Sequence, residues 1–150
     1  MAKFTFRMQG ILNIKEKLED QAKNEFGLAN RKLMEEEDKL RALVVRRAEY
    51  EQGARQLRME GKPLRPLELE EQRRSIETMK VLIRAQMMEV KRAEKDVDFA
   101  RAKLNEAMQE RKMYEKLREK AFEEFKAEIA YEENKAVDQL VSYTYGNAPT

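Results

Sequence analysis

In the stretch Leu69–Leu104, LEEQRRSIETMKVLIRAQMMEVKRAEKDVDFARAKL, a branched aliphatic residue returns at every seventh position: Leu69, Ile76, Ile83, Val90, Val97 and Leu104. A strict seven-residue spacing is the seam of a coiled coil. With these at position a, the d positions are Gln72, Met79, Gln86, Ala93, Ala100 and Ala107. Branched aliphatics thus alternate with small or flexible residues along one stripe. A helix with one apolar stripe needs a partner helix to cover it, and the seven-residue period predicts a left-handed winding about that partner.

The composition around this stretch fits long helices better than a compact globule. Of 150 residues, 40% are charged and only 7% aromatic, too little bulky apolar material for a thick core. Thirty-one basic residues against 29 acidic ones give a formal charge of +2, which supplies no global attraction to nucleic acid or to a membrane. Charge is uneven along the chain, however. Residues 121–150 hold two lysines, Lys126 and Lys135, against six carboxylates, so the C-terminal end is acidic. The chain has no cysteine and no histidine, which removes disulfides, thiolate metal sites and the commonest catalytic base. No apolar run reaches the roughly 20 residues a membrane span requires. These features predict a cytoplasmic protein without a cofactor.

Upstream of the seam, residues 1–9 alternate apolar and polar, as either an extended lead-in or a helix start capped by Thr5 would. From Met8 a helical stripe passes through Ile11, Leu18, Ala22, Phe26, Ala29, Leu33, Leu40, Leu43, Tyr50, Ala54 and Leu57, with Lys15, Glu36 and Arg47 as polar interruptions. The step Ala22, Phe26, Ala29 breaks the alternation of threes and fours, and Gly27 sits in the break. Two of the three prolines, Pro63 and Pro66, flank a reversal after Gly61, with Pro66 suited to the first turn of the next helix.

The fold expected is therefore all-α: a single two-helix antiparallel coiled-coil hairpin, with arm one at about 6–58, a turn at about 59–66, arm two at about 67–143 and a short tail to 150. Folding back near Lys62 brings Ile11 opposite Tyr114 and leaves the second helix overhanging with Phe122, Phe125, Ile129, Ala136 and Leu140. An intramolecular partner helix is always at high local concentration, so the free chain is expected to be a monomer.

Few side-chain groups suggest chemistry. Glu35, Glu36, Glu37 and Asp38 are consecutive, so on a helix they point different ways and form a solvated face rather than a metal site. No phosphate-binding glycine loop or nucleophile elbow is present, and no enzyme is expected. Arg46, Arg47, Arg73 and Arg74 stand among acidic neighbours without interleaved aromatics, which favours salt bridges between the arms over nucleic acid. In Val81–Met88 the seam uses only Ile83 and Gln86; Val81, Leu82, Met87 and Met88 are either an apolar surplus suited to an adaptable partner surface, or a seam widened by Leu82 and Met87 with Val81 and Met88 as isolated exposed residues.

The two ends of the chain carry motifs. Phe4, Phe6, Met8, Gln9, Ile11, Leu12, Ile14, Lys15 and Glu19 resemble the F-x-F-x-[LM]-Q-x-[IV]-L-x-I-K-x(3)-E opening of the FliJ family, a coiled-coil component of the bacterial flagellar type III protein export apparatus. Glu133, Lys135, Asp138, Gln139 and Leu140 are similar to that family's E-x-K-x-x-D-E-L ending, with Gln139 in place of Glu. The resemblance implies a hairpin shaped like the stalk subunit of rotary ATPases. It implies as partners the hexameric flagellar export ATPase, the transmembrane export gate and export chaperones, at the cytoplasmic face of the inner membrane and without direct insertion.

On that reading the aromatic-rich end supplies the candidate ATPase-binding residues Phe4, Phe6, Met8, Gln9, Ile11, Leu12, Phe122, Phe125, Ile129 and Asp138. Met79, Leu82, Gln86 and Met88 are the candidate export-gate-binding residues. The alternatives are the related stalk protein of virulence-type secretion and a purely structural, self-associating coiled-coil spacer.

Overall fold

A computed structural model describes residues 2–61, 63 and 65–146. Lys62 and Leu64 of the expected turn, and the tail 147–150, lie outside the described residues. The chain forms two helices, α1 (Gln9–Met59) and α2 (Pro66–Gly146), packed against each other as an all-α helical hairpin.

Each helix boundary follows from local chemistry. α1 starts at Gln9, not at Thr5: the Gln9 amide donates to the Phe6 carbonyl at 3.1 Å and the Leu12 amide to the Met8 carbonyl at 3.0 Å. Residues 2–6 are a non-helical lead-in, settling the ambiguity of the opening. α1 ends just before Gly61, whose φ of +66° is the left-handed conformation that glycine tolerates best. At the start of α2 the Arg65 carbonyl accepts from the amides of Glu68 (3.0 Å) and Leu69 (3.2 Å). Pro66, with no amide hydrogen to lose, takes the first helical position, and Glu68 places negative charge near the positive end of the helix dipole.

The packing divides into two compact units, one of residues Ala22–Leu104 and one of Met1–Gln21 with Asn105–Thr150. In the turn-containing unit Met79, Ile83, Val90, Ala93, Val97 and Ala100 are buried. Along this seam Ile76 and Leu104 are half-buried and Leu69 is exposed. Leu69 sits where Ala54 and Arg58 of α1 border an open groove with Gln72 and Ile76, so it has few apolar neighbours. The polar atoms in the seam are satisfied. Gln86 donates from Nε2 to the Glu36 carbonyl at 2.9 Å and to its carboxylate at 2.5 Å, while Lys32 and Lys39 reach the same carboxylate at 3.1 and 3.5 Å.

In the terminal unit, Lys15 Nζ lies 2.7 Å from Glu110 and 5.9 Å from the Tyr114 ring centroid, and Arg118 donates to Gln9 at 3.0 Å. The partner falls from Arg118 at Gln9 to Glu110 at Lys15, which is antiparallel pairing near the expected register. Arg111 bridges the buried Glu19 across the helices and Glu115 on its own helix at 2.8 Å.

The inward stripe of α1 differs from the one its apolar residues outline. The residues turned toward α2 are Leu12, Lys15, Glu19, Ala22, Phe26, Ala29, Leu33, Glu36, Leu40, Leu43 and Arg47, in unbroken steps of three and four. Ile11 and Leu18, expected in the stripe, are 41% and 44% exposed, and their inward places are taken by Leu12 and Glu19. The break around Gly27 therefore does not exist, because it came from counting Leu18 instead of Glu19. A charged residue can hold a seam position here because Arg111 neutralises it.

The arginine pairs also differ from expectation. Arg47 pairs with Glu51 (3.0 Å), and Arg73 and Arg74 with Glu70 (3.3 and 3.6 Å), all along their own helices rather than between arms.

Candidate partner-binding surfaces

The aromatic end of the terminal unit is built by the lead-in folding onto α2. The Phe4 ring meets Phe122 edge-on at 5.1 Å and Phe125 at 5.4 Å, and the Arg118 guanidinium stands 5.8 Å from the Phe4 ring centre. Phe6 and Ile129 are half-buried and Leu12 is buried. Much of the aromatic surplus thus closes on itself, as edge-to-face rings favour. Met8, Ile11 and Phe122 keep about two-fifths of their surface open. Gln9 is occupied in pairing with Arg118 and with Asn13 at 2.9 Å.

Beyond Ile129 the surroundings of α2 change abruptly. Every residue from Ala130 to Gly146 is exposed. Leu140 is 69% and Tyr145 77% exposed, although Val137, Leu140 and Val141 follow the spacing of an amphipathic stripe. Glu132, Glu133 and Asp138 lie on this segment with Lys135 as its only cation, so an acidic, unpartnered helix projects from the packed part of the unit. Glu133, Lys135, Asp138, Gln139 and Leu140, the residues of the ending motif, make no packed contact that would explain their types by the fold.

Of the four residues considered for a gate surface, the structure places two inward and two outward. Met79 is buried and Gln86 is held by Glu36, whereas Leu82 and Met88 are 45% and 62% exposed. Leu82 and Met88 are six residues apart and point to different sides of α2, so they do not form one patch. Leu82 instead lines a shallow groove with Tyr50 and Arg46 of α1 and with Ser75, Thr78 and Met79 of α2. Tyr50 and Arg46 are the members that sequence reasoning missed. Their signal was spacing, since one turn of α1 separates them, as one turn of α2 separates Thr78 from Leu82.

Glu36, Lys15 and Arg111 are shifted toward their ionised forms. Hydrogen bonding by Gln86, and then by Lys32, holds the Glu36 carboxyl below the usual carboxylate range. Glu110 raises the Lys15 ammonium, and Glu115 with Glu19 raises the Arg111 guanidinium. None of these groups stands in a cleft with a nucleophile. Among the described residues no three His, Cys, Asp or Glu side chains are grouped to hold a metal ion, and no helix is long and apolar enough to cross a membrane.

A family model described as "Flagellar FliJ protein" matches residues 4–150. No curated protein and no solved structure matches the chain.

Proposed function

Because the chain belongs to the FliJ family of flagellar export-apparatus components, we propose that it is a non-enzymatic stalk and chaperone-escort protein linking the hexameric export ATPase to the transmembrane export gate. In that role it promotes export of flagellar substrates, and so flagellum biogenesis and motility. It works at the cytoplasmic face of the inner membrane, peripheral through its partners, with no direct contact to nucleic acid.

The observation that carries this reading is the exposed acidic end of α2. A helix with both an apolar stripe and a carboxylate-rich face, covered by none of the described residues of its own chain, is a surface kept for another molecule. A ring with basic inner loops would attract it by charge and hold it by apolar contact. Phe4, Phe6, Phe122, Phe125 and Ile129 shape the base of this projection, and Met8 and Ile11 extend its apolar surface. The Leu82–Tyr50 groove supports a second contact, to the gate, on the other unit.

The test measures binding of the full chain and of a Glu132→Lys, Glu133→Lys, Asp138→Lys variant to the purified export ATPase. All three side chains are exposed, so helicity is expected to stay unchanged. Association of the variant should slow at least tenfold, and rising salt should slow the parent but not the variant. Equal rates for both proteins would place the ATPase contact elsewhere.

A further inference from the structure

We propose that the terminal unit contains a self-docking surface: an apolar strip with a basic rim that accepts the acidic end of α2 from a second copy of the chain. The strip is formed by Ile11, Ile14 and Leu18 on α1 and by Met113 and Leu117 on α2, all exposed, with Ile14 at 57% and Met113 at 53%. Steps of three and four put the α1 members on one face. The two contacts between the helices identify the side. Lys15 reaches Glu110 on the flank shared by Ile11, Leu18 and Leu117, whereas Gln9 meets Arg118 on the opposite flank, beside Glu16, Glu115 and Glu119. One flank is thus apolar and the other is rich in carboxylates.

The rim of the strip selects its occupant. Lys17, Lys116 and Lys120 are exposed along its outer margin, Glu106 and Glu124 stand beyond its two ends, and the carboxylate of Glu110 beside it is already neutralised by Lys15 at 2.7 Å. The complement is a helix with an apolar stripe and net negative charge. Residues 130–146 are such a helix, with Val137, Leu140 and Val141 on the stripe and Glu132, Glu133 and Asp138 against Lys135.

This segment cannot serve its own chain. α2 runs without interruption from Pro66 to Gly146, so Leu140 is carried about 35 Å along the helix from Leu117 at 1.5 Å per residue. The occupant must be another copy. Each copy offers one strip and one acidic end, so two antiparallel copies satisfy both contacts at once, as an isologous pair does. The strip is small, which places the contact among weak interfaces, below about 1,200 Å² in total. A monomer at low concentration and a dimer at high concentration follow. The inference invokes only the chain itself and does not rest on the export reading.

Sedimentation equilibrium of the full chain from about 5 to about 300 µM, a range suited to weak association, tests this. The weight-average mass should rise from 17.8 kDa toward twice that value, and should rise less in high salt. Two full-length variants, Ile14→Ser with Leu117→Ser and Val137→Ser with Leu140→Ser, should each lose at least tenfold in association. Mixed in equal amounts they should associate more strongly than either variant alone and more weakly than the parent, since one of the two strip–end contacts remains intact. Lys116→Glu with Lys120→Glu should match the strip variant without removing any apolar group. A monomeric mass over the whole range would overturn the proposal. So would association that survives these substitutions, or a mixture that associates no more strongly than the separate variants.

Discussion

The turn-containing unit and the terminal unit use the same two helices in opposite ways. In the former, the buried inward positions of α2 from Met79 to Ala100 are aliphatic, methionine or alanine, interrupted by Gln86, which is held by Glu36. In the latter, the inward positions include Lys15, Glu19 and Arg111, paired across the helices, while Ile11, Ile14, Leu18, Met113 and Leu117 face outward. Burying aliphatic surface contributes roughly 1.5–3 kcal/mol per large side chain, whereas a buried ion pair contributes little net stability but penalises misalignment strongly. The difference teaches that one unit is built to hold the hairpin together. The other fixes its alignment through ion pairs across the helices.

The largest effect that would break this contrast comes from charging the aliphatic seam. Ile83→Asp puts an unpaired carboxylate among Met79, Val90 and their α1 neighbours and should destabilise the chain by about 3–5 kcal/mol in denaturant unfolding. The same change at Ile14, which is exposed in the terminal unit, should alter stability by less than about 0.5 kcal/mol. Similar losses at both positions would erase the distinction.

A smaller effect, dependent on pH, sharpens it. Glu36 is the one carboxylate buried in the turn-containing unit's seam, and Gln86 with Lys32 lowers its folded pKa. A group with a depressed folded value contributes stability above its unfolded pKa, about 4.3 for a glutamate, and loses it as pH falls through the lower folded value. Tm of the parent should exceed that of Glu36→Gln at pH 7, and the gap should close below about pH 4. A gap that persists unchanged at pH 3 would mean that the Glu36 charge does nothing there.

Much of this was legible in the sequence. The a and d series from Ile76 to Leu104 gave the helix, its face and the need for a partner, and Gly61 with Pro66 placed the reversal. What escaped was the terminal unit's inward face. Apolar pattern alone selects Ile11 and Leu18, because it cannot see that Arg111, about 90 residues away in the chain, makes Glu19 the better inward residue. The opening motif concealed the same split. Phe4, Leu12, Lys15 and Glu19 serve the packing, while Met8, Ile11 and Ile14 do not. At the gate candidates, periodicity separated Ile83 from Leu82, but only the facing helix reveals that Tyr50 and Arg46 complete the groove.

Native-state hydrogen exchange, resolved by segment, tests the central contrast most directly. Amides of residues 79–100 and of their α1 partners should exchange only through global unfolding, and raised salt should leave their protection unchanged. Residues 12–19 and 110–118 should open at lower free energy, and their protection should fall as salt screens the more exposed Lys15–Glu110 pair. Uniform protection along both helices, unresponsive to salt, would contradict the account.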